Sequence, residues 1–204
     1  IIEAQPGRKI VVVSAMSGVT NMLVEMNEAL KKDEQEKVRN ILEQLKSKHL
    51  DLIEALFTNP ELQAATKRDF LMLLEQLTDH LQDEASEVRE ATLVTYGEAF
   101  LSYIFSRFLE AEGVFNTLLD AKDFMHVSNV ENPEIELVKE LLVQTLRREV
   151  TSEVYITQGF LRIDRNKNVN TLKRGGSDYT ATIIAAAINA REVQIWTDID
   201  GFHL

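Results

Sequence analysis

The chain has 204 residues, 45% of them hydrophobic and 27% charged, with a formal net charge of −11 and no cysteine. That length and composition fit one well-packed globular domain. The acidic balance argues against a nucleic-acid or anionic-membrane surface, which needs clustered Lys and Arg. The lack of cysteine rules out a disulfide framework and a thiolate metal site, and fits a reducing, cytoplasmic setting. No apolar stretch is long enough to span a bilayer, and no signal peptide is visible, so no membrane partner is expected. The chain starts at Ile1, enters a strand almost at once, and stops at Leu204 just after another. Such ends read as boundaries imposed within a longer domain.

Ile10 to Ser14 (IVVVS) is a β-branched run without polar alternation, the pattern of a strand covered on both faces. Ser17-Gly18 breaks it, and a helix follows with apolar Val19, Met22, Leu23, Met26 and Leu30. The acidic run Asp33 to Glu36 reads as a solvated helix face. Val38, Leu42, Leu45, His49, Leu52 and Leu56 form one stripe of an amphipathic helix. Asn59-Pro60 ends it, with Pro60 placed to open the next helix, which carries Leu62, Leu71, Leu74, Leu77 and Leu81. The two are expected to pack antiparallel. A third helix is predicted over Val88 to Glu110, with Ile104, Phe105 and Phe108 inward and Gly113 as its C-terminal glycine. Strands follow at Val114 to Leu119 and Met125 to Val127, a helix at Glu134 to Arg147, and a strand at Val154 to Phe160. An alanine-rich helix over Ser177 to Asn189 and a last strand at Val193 to Thr197 complete the order. Strands alternating with helices predict an α/β sandwich with a mostly parallel sheet.

Three strand ends combine glycine, hydroxyl and charge, where open α/β sheets bind ligands. Ser14 to Asn21 (SAMSGVTN) joins a strand to a helix and offers backbone N–H groups and hydroxyls to an anion. Ser17 or Thr20 capping the helix is an equally open reading. Thr171 to Asp178 (TLKRGGSD) sets Arg174 beside two glycines, which allow close backbone approach while the guanidinium grips a carboxylate. Ser177 or Asp178 can also cap the following helix. The spacing is not that of a P-loop. Trp196 to Gly201 (WTDIDG) places a threonine and two aspartates where they could meet a nucleotide or its magnesium, or simply form a turn at Asp200-Gly201. Glu98 follows Gly97 among Leu93, Val94, Phe100 and Leu101, a setting that suits a ligand ammonium; an exposed helical Glu is the alternative. The histidines at 49, 80, 126 and 203 show no i, i+4 metal pattern.

Taken in order, VVVSAMSGVTN (11–21), YGEAF (96–100), TQGF (157–160), TLKRGGSDYTA (171–181) and WTDIDG (196–201) resemble the aspartate kinases of the amino-acid kinase family over almost the whole chain. RGGSDYTA is the most specific of these matches. The resemblance implies an amino-acid-kinase-like three-layer sandwich, a mostly parallel central sheet flanked by helices, with a long helical insertion over about 33–110. It implies phosphorylation of the β-carboxylate of L-aspartate by ATP and Mg²⁺, the first step of lysine, threonine and methionine biosynthesis, and a homo-oligomeric full-length protein. It implies that Arg174 holds the substrate α-carboxylate and Glu98 its ammonium. Ser14 and Thr20 would line the pocket near the reacting carboxylate, with Phe160, Ser177 and Asp178 completing the amino-acid side. Thr197 and Asp198 would lie on the nucleotide side.

Several departures accompany the likeness. The family's opening Lys-Phe-Gly-Gly motif, whose lysine stabilises the transferring phosphate, does not precede Ile10. Lys173 stands where glycine is usual before Arg-Gly-Gly, and the serine usual three after the glutamate is Leu101, with Ser102 one later. The chain is therefore expected to carry the amino-acid half of a site and to turn over poorly alone. The TDIDGFH ending is reminiscent of bifunctional aspartokinase–homoserine dehydrogenases. Other readings are a different kinase of the family, acting on acetylglutamate, glutamate or uridylate, and a non-catalytic amino-acid-binding or assembly module of the same fold.

Overall fold

The computed structural model describes residues 7–149, 152–173 and 175–196. Three parallel strands form its centre: β1 (Lys9–Val13), β2 (Asn116–Leu118) and β3 (Val154–Gln158), in the order β1-β3-β2. The register pairs Val11 and Leu118 with Ile156 from either side. Alternation along the strands divides their side chains between two layers. Val11, Val13, Val154 and Ile156 face Leu109 and Phe105, whereas Ile10, Val12 and Tyr155 face a cluster built on Val138, Leu142, Ile183 and Ile184.

Between β1 and β2 run four helices: α1 (Val19–Lys31), α2 (Gln35–Leu56), α3 (Pro60–His80) and α4 (Glu87–Ala111). The local chemistry of their ends follows the sequence. The Asn59 side chain accepts hydrogen bonds from the backbone N–H groups of Glu61 (2.9 Å) and Leu62 (3.2 Å), with Pro60 at the first helical position. The Ser86 hydroxyl caps α4 through the Arg89 N–H at 3.1 Å. Gly113, at φ +81°, ends α4 with paired bonds from Gly113 N–H to the Glu110 carbonyl (3.0 Å) and Val114 N–H to the Leu109 carbonyl (2.8 Å). A 3₁₀ turn (Ala121–Asp123) follows β2, and α5 (Ile135–Arg148) leads into β3. An antiparallel hairpin of β4 (Leu161–Ile163) and β5 (Val169–Thr171) then precedes α6 (Gly176–Ile188).

The fold is the expected α/β arrangement of a parallel sheet between helices, with differences in detail. β1 is only half-buried, because it stands at the edge of the described sheet. Met125 to Val127 is not a strand: it makes one isolated bridge, His126 to Ile163, since the 3₁₀ turn and the Arg162 guanidinium, bonded to the Val127 carbonyl at 2.7 Å, fix its path. The β4–β5 hairpin, too short to carry a clear alternation, is an addition. Residues 193–196 form no strand and are exposed; Thr197 lies outside the described residues. Phe105 and Phe108 are half-buried, whereas Ile104 is fully buried. On α2 the fully covered line is Val38, Ile41, Leu45, His49 and Ile53. Leu42, Leu52 and Leu56 flank it half-buried, because α2 packs on both α1 and α3 and needs a broad apolar face. On α3 the line runs through Phe70, Leu74 and Leu77, leaving Leu71 39% exposed. No described helix is long and apolar enough to cross a membrane.

His49 sits fully buried in this helical layer, with ring centroids 5.2 Å from both Phe70 and Phe100. Its Nδ1 lies 2.7 Å from the Leu45 carbonyl, so Nδ1 carries the proton, and Nε2 has no partner among the described residues. Burial lowers its pKa below the ordinary 6.5. The folded state therefore holds His49 neutral, while the unfolded chain takes up a proton below about pH 6.5, so this contribution is complete above that pH and lost as pH falls. Chemical denaturation at pH 7.5 and pH 5 should show a smaller pH-dependent loss of stability in His49→Met than in the unsubstituted chain.

Candidate functional site

Four segments meet at the C-terminal end of β1 and β3. The first is the loop 14–18 between β1 and α1, which ends on Gly18 at φ +81°. The second is the middle of α4, where Gly97 faces this loop: a Cβ at 97 would lie 2.8 Å from Ala15 Cβ and 3.2 Å from Val19 Cγ1. Only glycine lets loop and helix approach this closely. The third is the turn Gly159-Phe160. Gly159 N–H bonds the Val13 carbonyl at 2.9 Å, tying the turn to the end of β1. The fourth is the start of α6, pressed onto that turn. A Cβ on Gly159 would fall 2.7 Å from Ser177 Cα, and one on Gly176 would fall 2.6 Å from the Phe160 ring.

Glu98 lies at this junction, 3% exposed. Its Oε1 accepts a hydrogen bond from Ala15 N–H at 3.2 Å, and its Oε2 has no partner among the described residues. Burial pushes the carboxyl up to about 7, opposed by hydrogen bonds from its own backbone and from Ala15. Such an acid is costly to ionise as it stands, and a cation delivered to the free oxygen would relieve that cost. The exposed-helical-glutamate alternative is thereby excluded.

Backbone strain marks the same place. Phe160 adopts φ +67° and Lys173 φ +69°, conformations that cost a non-glycine residue about 1–2 kcal/mol. Phe160 is held there by its N–H bond to Thr180 Oγ1 (3.0 Å) and by the Leu172 N–H on its carbonyl (2.8 Å); the Thr180 hydroxyl in turn donates to the Gly176 carbonyl (2.8 Å). The left-handed backbone at Lys173 gives a physical reason for the glycine usual at that position.

Of the residues singled out in the sequence, Ser14, Glu98, Phe160 and Ser177 are brought together by these contacts. Thr20, half-buried, and Asp178, exposed, stand in the first turns of α1 and α6. Both helices have a glycine N-cap, Gly18 or Gly175, and no capping side chain. The reading of Ser17, Thr20, Ser177 or Asp178 as helix caps is thus replaced. Arg174, Thr197 and Asp198 lie outside the described residues. Among the described residues no group of three or more His, Asp or Glu side chains could hold a metal ion. Two residues were not singled out: Thr180, inside the quoted SDYTA string, and Gln158, inside TQGF. Ser102, one position beyond the place of the family's usual serine, is fully buried; it donates to the Ala99 carbonyl at 3.2 Å and accepts from Gln158 Nε2 at 3.1 Å.

Residues 1–203 match the Amino acid kinase family. The chain belongs to that family. Within it the similarities are to aspartokinases. Over 214 aligned residues the chain is 31% identical to the lysine-sensitive aspartokinase 3 of Escherichia coli K12, covering all of this chain and 45% of that protein. It is 29% identical to a chloroplastic bifunctional aspartokinase/homoserine dehydrogenase 1 of Zea mays, covering 95% of this chain and 22% of that one. The fold superposes on E. coli aspartokinase III, solved in complex with aspartate and ADP, with a TM-score of 0.81 at 30% identity, over 95% of this chain and 43% of that one. The chain thus spans less than half the length of these relatives.

Two substitutions test the junction. The folded pKa of Glu98 lies above its ordinary 4.5, so the folded chain keeps a proton that the unfolded chain releases; this stabilisation is complete below about pH 4.5 and lost as pH rises through 7. Glu98→Gln retains an acceptor for the Ala15 N–H and carries no charge. It should melt roughly 2–4 °C above the unsubstituted chain at pH 8, and no higher at pH 4.5, by calorimetry. Gly97→Ala, which forces a methyl against Ala15, should cost about 1–3 kcal/mol by denaturant titration.

Proposed function

We propose that this chain is the amino-acid-binding part of an aspartate kinase catalytic domain, with the helical insertion over about 33–110 forming one wall of its site. The observation that carries the reading is the buried Glu98 carboxylate, half-satisfied by Ala15, at the meeting point of the four segments. A zwitterionic dicarboxylate needs a cation and an anion in its site. Glu98 takes the ammonium, which draws the carboxyl into its ionised form on binding. Arg174 takes the α-carboxylate with a bidentate pair. Ser14 and Thr20 line the end where the β-carboxylate reacts, while Phe160, Ser177 and Asp178 shape the opposite wall. Orientation of this kind is most of what a protein contributes to phosphoryl transfer, since the reaction needs charge neutralisation and in-line placement more than covalent assistance.

Thr197 and Asp198 belong to the nucleotide side of the reading. ATP supplies the phosphoryl group and Mg²⁺ offsets its charge when bound. The support for this half is the resemblance and the ADP complex of the E. coli relative. The pathway, a cytoplasmic location and a homo-oligomeric complete protein belong to the same proposal.

The test is an aspartate-dependent hydroxamate assay on the complete protein, with glutamate and acetylglutamate as controls. Aspartate alone should give signal. Arg174→Ala and Glu98→Ala should each raise the aspartate KM at least tenfold or abolish turnover, and the unsubstituted KM should rise as pH falls below about 7, where Glu98 is protonated. A signal with glutamate or acetylglutamate in place of aspartate, or none with any acceptor, would overturn the reading. The 204-residue chain alone should turn over little.

A further inference from the structure

We propose that Gln158 is a positioning residue, whose side-chain amide fixes the seat of α4 on the sheet and thereby holds Glu98 against the β1–α1 loop. This rests on the reading of Glu98 as the ammonium partner.

Gln158 is the last residue of β3, paired with Val13 at the end of β1. Strand alternation turns its side chain, like that of Ile156, toward α4. There the amide makes two bonds that demand opposite roles. Its Oε1 accepts from the backbone N–H of Ala121 at 2.9 Å, and its Nε2 donates to the Ser102 hydroxyl at 3.1 Å. The orientation is fixed, because a backbone N–H can only donate. Ser102 in turn spends its own proton on the Ala99 carbonyl, leaving a lone pair for Gln158. Ala121 and Ser102 are both fully buried, so neither group has water as a substitute. One side chain thus joins three elements: the end of β3, the 3₁₀ turn after β2, and α4.

The place on α4 is what gives the contact its consequence. Ser102 lies four residues beyond Glu98, one helical turn away. On the other side, Gly97 is in van der Waals contact with the Ala15 loop, and Glu98 reaches the Ala15 N–H at 3.2 Å, already long for a bond to a carboxylate. A small slide or rotation of α4 would break that bond. Neither a glutamate nor a methionine at 158 could reproduce both roles: the carboxylate has no proton to donate, and the thioether is a weak acceptor and no donor.

The experiment compares Gln158→Met, Ser102→Ala and the double variant of the complete protein, measuring KM for aspartate and ATP separately together with melting temperature. If Gln158 acts through Ser102, both single variants raise the aspartate KM, by up to about tenfold for one lost buried hydrogen bond. The ATP KM stays unchanged, and the double variant is no worse than Gln158→Met. An aspartate KM that stays fixed while melting temperature falls, a parallel rise in the ATP KM, or single-variant effects that multiply in the double would overturn the proposal. Should Gln158→Met fail to fold, Ser102→Ala decides the same question alone. Amide exchange by mass spectrometry supplies an arm that needs no turnover. Faster exchange in segment 14–18 supports the proposal, and faster exchange confined to the neighbourhood of Ala121 overturns it. If the unsubstituted protein gives no aspartate-dependent product, the functional reading fails, and the exchange arm still judges Gln158.

Discussion

The structure depends on one contact, the closure of the β1–α1 loop onto the middle of α4. It needs a residue without a side chain at 97, since any Cβ there would overlap Ala15. It also needs the next residue to receive the Ala15 N–H that the closure buries. Glycine followed by glutamate answers both requirements. The arrangement leaves a carboxyl group with more acceptor capacity than the described fold uses, in surroundings that resist its charge.

The remaining pieces of the site are placed by the same device of removing side chains where backbones must touch. Gly159 admits Ser177, and Gly176 admits the Phe160 ring. The left-handed Phe160 is secured by the Thr180 hydroxyl and the Leu172 amide. Geometry is therefore set by backbone and by buried hydrogen bonds rather than by long flexible side chains.

Much of this was legible in the sequence, for identifiable reasons. The β-branched run before Ser14, the Asn-Pro boundary at 59–60 and the glycine at 113 each reflect a strong local preference, and each produced the expected element. The Gly97-Glu98 pair and the RGGSDYTA string stood out because glycine and charge are unusual inside apolar or helical patterns. What escaped the sequence depends on distant partners. A glutamine such as Gln158 announces nothing by itself, since the Ser102 hydroxyl lies 56 positions away. The lines of burial on α2 and α3 shifted by about one residue because two neighbouring helices share the contact. Residues 125–127 carried the composition of a strand but make only a single bridge, to Ile163, while the Arg162 side chain takes the Val127 carbonyl.

Phe160, Ala15 and Met16 pack against the same apolar cluster that holds α1 to α4 together, the cluster in which Phe70 and Phe100 enclose His49. Helices α2 to α4 are thus no appendage hung on an independent sheet. They share a single wall with loop 14–18 and the turn at 159–160, and a change of volume deep between α2 and α3 is transmitted to that wall because close-packed interiors have no slack to absorb it. Side chains between α2 and α3 are therefore restricted in size by a junction that they do not touch.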